Sequence, residues 1–343
     1  MEYDAVIVGA GPAGSSAAWF LRNSSLKTAV IERLFDAKFG EYHSICGGGI
    51  SRRGLSPLSP KEDEILNRVD RLRLRWPDGR STDIRIDGYV IDRPALTRRL
   101  LAESNAERIH GSVKGVRPSG EYNDIILSDG RTVRGRYVIG ADGAFSAVRR
   151  SVFGTRPEAM FPIEECIADF PSEDVFDFAV GRRFKGVYGW RFPCGRKSTM
   201  GSAADVEPPH IEGRKMHRFI PCGPVPDVVK DNVLLIGDAA GFPNPLTFGG
   251  LRVAFESARM AAAAAEKNDP SSYASWRKKS KLLDPRFAGL HELMAGMTDE
   301  GFNDFSRAMT HRNLLVNGFC SVIRRPGLTK AYLGCLMAIL YGW

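Results

Sequence analysis

"YDAVIVGAGPAGSSAAWFLRNSSLKTAVIER", residues 3–33, decides the fold. Residues 3–8 are a short apolar run of the kind a buried parallel strand needs. Gly9, Gly11 and Gly14 follow in G-x-G-x-x-G spacing, and a helical pattern runs from about residue 12 to Leu21. Each glycine has its own task. Gly9 makes the tight turn, Gly11 lets the backbone approach a pyrophosphate, and Gly14 allows a helix to pack closely on a strand. The helix start offers free N–H groups and a positive dipole end to phosphates. A second strand, "KTAVIE", then ends in Glu32, and a carboxylate there accepts hydrogen bonds from a ribose diol. The glycine pattern alone carries little weight. With a strand before it, a helix after it and the acid beyond, it predicts an adenine dinucleotide site. Glu32 argues against a 2′-phosphate, and both FAD and NAD suit these residues.

Two distant segments extend the reading. "YVIGADGAFSAVRR" (137–150) reads as a strand, an Asp142-Gly143 turn and a helix start. "NVLLIGDAAGFPNPLTFGGLRVAFESARMAAAAAEK" (232–267) reads as a buried strand, Asp238 at its end, a proline-rich loop and an alanine-rich helix from near Gly249. A carboxylate at a strand's C-terminal end is placed to hold a polyol. The helix start beyond the loop favours negative charge. "YGWRFP" (188–193) alternates in the manner of a strand, with Tyr188, Trp190 and Phe192 on one face.

Together these segments resemble the flavoprotein group of aromatic hydroxylases and geranylgeranyl reductases. "SICGGGISRR" (44–53) resembles the reductases' Cys-Gly-x-Gly segment, and "YGWRFP" resembles their Tyr-x-Trp-x-Phe-Pro motif. The resemblance covers nearly all of residues 1–267. It implies an α/β, Rossmann-like FAD-binding domain with an interleaved antiparallel-sheet (α+β) substrate domain and a helical C-terminus. It implies FAD contacts from Gly9, Gly11, Ala13, Gly14, Glu32, Arg33, Cys46, Gly47, Gly49, Val113, Asp142, Asp238, Gly250 and Leu251. Arg93, in "YVIDRPALTRRLL" (89–101), is expected to touch the cofactor as well. The prenyl pocket would be walled by Tyr188, Trp190, Phe192, Pro193 and Phe248. The activity implied is saturation of C=C bonds in geranylgeranyl chains of isoprenoid ether lipids, by hydride transfer and protonation. NAD(P)H or a ferredoxin-type carrier would supply electrons. Cys46 is the first candidate proton donor, with His43 and Tyr188 as alternatives.

The chain departs from the family pattern in three places. Gly201-Ser202-Ala203 stands where the family has G-x-G, Phe248 where it usually has glycine, and the Pro193–Gly237 interval is short. These features bear on the substrate more than on the flavin. An FAD-dependent monooxygenase or halogenase acting on an aromatic ring is the first alternative. A flavin-binding electron carrier or membrane-bound scaffold without turnover is the second.

The 343 residues are 43% hydrophobic and 26% charged, which excludes wholesale disorder. A net charge of +8 favours acidic partners, namely phosphorylated cofactors or anionic headgroups. The scattered arginines show no nucleic-acid signature, and no zinc-ligand spacing is present, so neither nucleic acid nor a metal is expected. Six cysteines with no C-x-x-C pair and no signal peptide suit a reducing cytoplasm. "AYLGCLMAILYGW" (331–343) is too short to span a bilayer, which takes about 20 apolar residues. After the basic "RRPGLTK" (324–330), it reads either as a helix packed on the core or as a peripheral contact on the cytoplasmic membrane face. The expected FAD domain is 1–55, 88–155 and 228–267. The substrate domain is 56–87 and 156–227, with a hairpin across Pro77-Asp78-Gly79, and 268–343 is helical.

Overall fold

In the computed structural model, which describes residues 1–35, 37–43, 46–203, 214–309, 314–324, 327 and 329–343, the opening stretch folds as its pattern requires. Strand Glu2–Val8 runs into helix Pro12–Phe20 and returns as strand Thr28–Glu32. The two strands pair in parallel, and Thr132–Gly140 pairs in parallel on the other side of the first. Val233–Leu235 and Glu107–His110 extend this sheet at its two flanks. The sheet therefore reverses its order beside Glu2–Val8, and the crevice at such a reversal is where open α/β sheets bind ligands. Ala17 and Ala18 of the first helix and Ala254, Ala258, Ala261 and Ala262 of helix Leu251–Glu266 share one core with the sheet. Their small side chains let the two helices approach closely.

A second, mostly antiparallel sheet runs in the order Arg214–Cys222, Ala159–Ala168, Lys197–Ala203, Gly189–Cys194, Val175–Ala179, Ile65–Arg75, Ser81–Ile91, Gly49–Ser51. The hairpin across Pro77–Gly79 forms, with Gly79 at φ +84, a left-handed conformation that glycine takes at little cost. The expected division at residue 88 falls inside strand Ser81–Ile91, where Gly88 pairs with Val69. Residues opposite one another in neighbouring strands share a face. One such row is Met216, Glu165, Gly201, Trp190, Phe178 and Leu74. The next residues along these strands lie on the opposite face and form an ion-pair lattice that includes Arg73–Asp83 at 2.8 Å and Arg75–Asp177 at 2.7 Å.

The C-terminal part is helical. Its last helix, Thr329–Tyr341, buries Ala331, Tyr332, Gly334 and Ala338 against the rest of the molecule. Trp343 lies edge-on to Phe176, ring centroids 5.5 Å apart. The preceding helix, Leu314–Arg324, instead exposes Leu315, Phe319 and Ile323 at four-residue spacing. Arg325 of the expected basic collar lies outside the described residues, as do residues 204–213 of the short Pro193–Gly237 interval. Among the described residues no helix is long and apolar enough to cross a membrane.

Candidate active site

The glycine-rich turn is built to let backbone meet backbone. Gly9 has φ +96, and a Cβ on it would meet the Ala141 carbonyl oxygen at 2.5 Å. A Cβ on Gly14 would lie 1.8 Å from the Gly9 oxygen, so any side chain would push the helix off the strand. Glu32 is fixed against this loop. One carboxylate oxygen accepts from the Ala10 amide at 2.7 Å, and the other accepts from the amides of Arg33 and Leu34. Helix Pro12–Phe20 begins on Gly11 and helix Leu251–Glu266 on Gly250, neither with a side-chain cap. Asp92, Asp269 and Thr298, by contrast, cap helices elsewhere in the chain. Two helix starts at the crevice thus keep their amides available for an anion.

One cavity of about 780 Å³ joins this loop to the second sheet. Gly9, Gly11, Ala13, Glu32, Arg33, Val113, Asp142, Asp238, Gly250 and Leu251 line its first part. Asp238 opens the short turn Gly237–Ala240. Burial raises its carboxyl to about 6, against the opposing pull of Arg93. Its side chain accepts no hydrogen bond among the described residues, and the position a Gly250 Cβ would take is 3.6 Å from Oδ1. Asp142 is different. Its oxygens accept from the Ser146 hydroxyl and from the amides of Ala147 and Val148, so this carboxylate organises the following turn. Gly14 packs beneath the loop, outside the cavity lining.

His43 packs on Phe39 with ring centroids 4.4 Å apart, and its Cε1 lies 3.3 Å from where a Gly11 Cβ would sit. Burial, reinforced by Arg93, Arg218 and Arg33, lowers its pKa to about 3. The imidazole is therefore neutral at ordinary pH and carries no surplus proton to give. Its Nε2 is buried beside the glycine turn without a partner among the described residues, which suits a ligand-facing group better than an acid.

The second part of the cavity is aromatic. Trp190 and Phe192 alternate along strand Gly189–Cys194 and line it with Phe176 and Phe178. Pro193 points to the other side and does not line it. Gly201 makes room for the indole: a Cβ there would be 2.1 Å from Trp190 Cζ2. Gly47 does the same for Phe192, whose Cδ2 would lie 2.7 Å from its Cβ. Gly49 and Cys46 complete that edge, and Cys46 Sγ accepts from the Gly48 amide at 3.4 Å. The Tyr188 hydroxyl donates to the Thr247 carbonyl, and burial pushes its pKa upward. Phe248 adopts φ +50, a left-handed conformation costly for a bulky side chain, and packs on Phe161 at 4.9 Å. The ring thus lines the cavity where a glycine would have left space.

Some site residues escaped the sequence reading. Glu165 and Arg218 line the cavity from the second sheet, and Trp343 lines it beside Phe176. Burial raises the Glu165 carboxyl to about 7, opposed by Arg93, the Cys46 amide and Arg218.

Relatives agree with this architecture. The sequence model described as "Lycopene cyclase protein" matches residues 4–159. Geranylgeranyl diphosphate reductase of Rhodobacter capsulatus is 31% identical over 77% of this chain and 75% of its own. Digeranylgeranylglycerophospholipid reductase 1 of Methanopyrus kandleri is 31% identical over 79% of this chain and 84% of its own. The chain belongs to the geranylgeranyl reductase family. It is accordingly an oxidoreductase built for a flavin, and the uncapped helix starts, Glu32 and Asp238 fit such a group. A geranylgeranyl bacteriochlorophyll reductase-like protein from Thermoplasma acidophilum has the same fold, with TM-score 0.83 at 20% identity over 96% of this chain and 98% of its own. A flavin-dependent brominase shares the fold at TM-score 0.73 and 16% identity, over 100% of this chain and 94% of its own. These last two likenesses concern the fold alone.

Proposed function

We propose that this family member binds FAD and saturates isolated C=C bonds of a prenyl chain carried by an isoprenoid lipid. The observation that carries this reading is the single cavity shared by the glycine-rich cradle and the aromatic face of the second sheet. A long hydrocarbon needs a large apolar wall with few polar groups, and aromatic rings provide area at small entropic cost.

The bound flavin supplies the hydride that such a reduction needs. The chain's own residues do the rest. Amides at Gly11 and Ala13 hold the pyrophosphate, Glu32 the ribose, and Asp238, near Arg93, the ribityl hydroxyls. Amides at Gly250 and Leu251, at the uncapped start of their helix, would favour negative charge on a flavin held there. Trp190, Phe192, Phe178 and Tyr188 hold the prenyl chain alongside and exclude water. NAD(P)H or a ferredoxin-type carrier supplies the electron pair. A lipid of this kind is delivered from a membrane, and the exposed stripe Leu315, Phe319 and Ile323 is the apolar surface suited to touch an anionic one.

The test is anaerobic: FAD-loaded enzyme reduced with dithionite, mixed with a geranylgeranylated ether phospholipid, and read by lipid mass and flavin absorbance together. Lipid gaining hydrogen pairs as the flavin reoxidises is the expected result. Flavin that stays reduced until air is admitted contradicts it and favours an oxygen-using reaction.

A further inference from the structure

Addition of hydride to an unactivated alkene places positive character on the second carbon, so a proton donor must stand close to the chain in a dry site. Two of the candidates named from sequence are poorly placed for this. His43 is neutral, and Tyr188 donates its hydroxyl to Thr247. Cys46 also lines the cavity, at the glycine segment, where its sulfur accepts from the Gly48 amide.

Glu165 differs from each of them. It stands on strand Ala159–Ala168 in the cavity-facing row, between Met216 and Gly201, with Trp190 next beyond Gly201. Gly201 has no side chain, so nothing of that residue stands between the carboxyl and the indole that leans over it. The residue is 3% exposed, and its Oε1 has no hydrogen-bond partner among the described residues. The Cys46 amide holds the carboxyl at the segment that carries the other candidate. We propose that Glu165 is the proton donor of the reduction, a role that rests on the prenyl-reductase reading above.

In that step the Glu165 O–H bond breaks as a C–H bond forms on the alkene carbon that does not receive the flavin's hydride. The carboxylate left behind is reprotonated from water before the next turnover. Its surroundings suit this cycle. Burial holds the carboxyl near 7, so a large share carries its proton at neutral pH. Arg93 from helix Arg93–Glu103, Arg218 from strand Arg214–Cys222 and the Cys46 amide stabilise the carboxylate once it forms. Cys194, on the strand of Trp190, also feels its charge, and Lys215 is engaged with Glu164 on the opposite face.

The experiment uses full-length enzyme and Glu165→Gln, with flavin content and circular dichroism confirming the fold. Wild type should reduce the prenyl lipid in a single turnover whose rate falls as pH rises through about 7. Glu165→Gln should lose roughly 10²–10⁴-fold of that rate and the pH dependence with it. In flavin-free protein, infrared difference spectra should show a carboxylic C=O band that disappears near the same pH and is absent from the variant. If Glu165→Gln does not fold, Glu165→Asp, which keeps an acid on a shorter stem, should retain a pH-dependent turnover at reduced rate. Normal rate and pH profile in Glu165→Gln, or no carboxyl titrating near 7, overturns the role of Glu165 alone. Absence of prenyl reduction by wild type overturns the function reading and the role that rests on it.

Discussion

On one face of the second sheet, Asp177 accepts from Arg75 at 2.7 Å and from Arg191 at 3.1 Å, and Asp83 accepts from Arg73 at 2.8 Å. On the other face of the same sheet, Glu165 stands in the row that runs from Met216 through Gly201 and Trp190 to Phe178, with an oxygen unpartnered among the described residues. Both faces carry carboxylates, and their surroundings set their use. The paired charges, partly open to solvent, fix strand register and contribute little to chemistry. The lone buried acid costs stability when it ionises, which a structural role does not explain. It is the cavity face that binds and reacts.

Gly201→Val should break the cavity face most severely. Its added atoms overlap the Trp190 ring, so prenyl reduction should disappear while flavin binding persists, with about 1–3 kcal/mol of stability lost to overpacking. Flavin absorbance and thermal unfolding check the two halves of this expectation.

Titration should separate the faces next. Glu165 is raised from 4.5 to about 7, so its proton favours the folded state, and the associated stability is lost as pH climbs from about 4.5 through 7. The loss is on the order of 3 kcal/mol in flavin-free protein, at about 1.4 kcal/mol per pH unit. Asp83 is held below the usual carboxylate range by its hydrogen bond from Arg73. Its stability is present at neutral pH and is lost as pH falls through the lowered value. Thermal midpoints of the flavin-free protein should therefore lose much of their decline between pH about 4.5 and 7 in Glu165→Gln, with the share due to Asp238 left in place, and part of their acid slope in Asp83→Asn.

Asp177→Ala should do least. Its partners Arg75 and Arg191 are 47% and 39% exposed, so water takes over their solvation. A cost of about 1 kcal/mol in denaturant unfolding is expected, with unchanged lipid reduction. A large loss of turnover would erase the contrast between the faces.

Much of this molecule was legible in its sequence because the signals are local. Gly9, Gly11, Gly14 and Glu32 lie within 33 residues, and the period-two aromatics of 188–193 announce a strand with one special face. Glu165 was not legible. It is one of three acids in "MFPIEECIADF", and Met216 and Trp190 join its row through strand register set by distant pairings. Asp142 sits in a readable turn, but its hydrogen bonds to Ser146, Ala147 and Val148 follow from the turn's actual geometry. Trp343 reaches the cavity only because the last helix folds back over the second sheet.

The most direct test of the account is where a prenyl chain lies. A photoreactive geranylgeranyl lipid should be bound to the flavin-loaded enzyme, irradiated, and its adducts located by peptide mass. Adducts on Val175–Ala179 and Gly189–Cys194, at Phe178, Trp190 or Phe192, are predicted. Labelling confined to Leu314–Arg324, or to the ion-paired face at Arg75 and Arg191, would contradict the aromatic wall as the chain's binding surface.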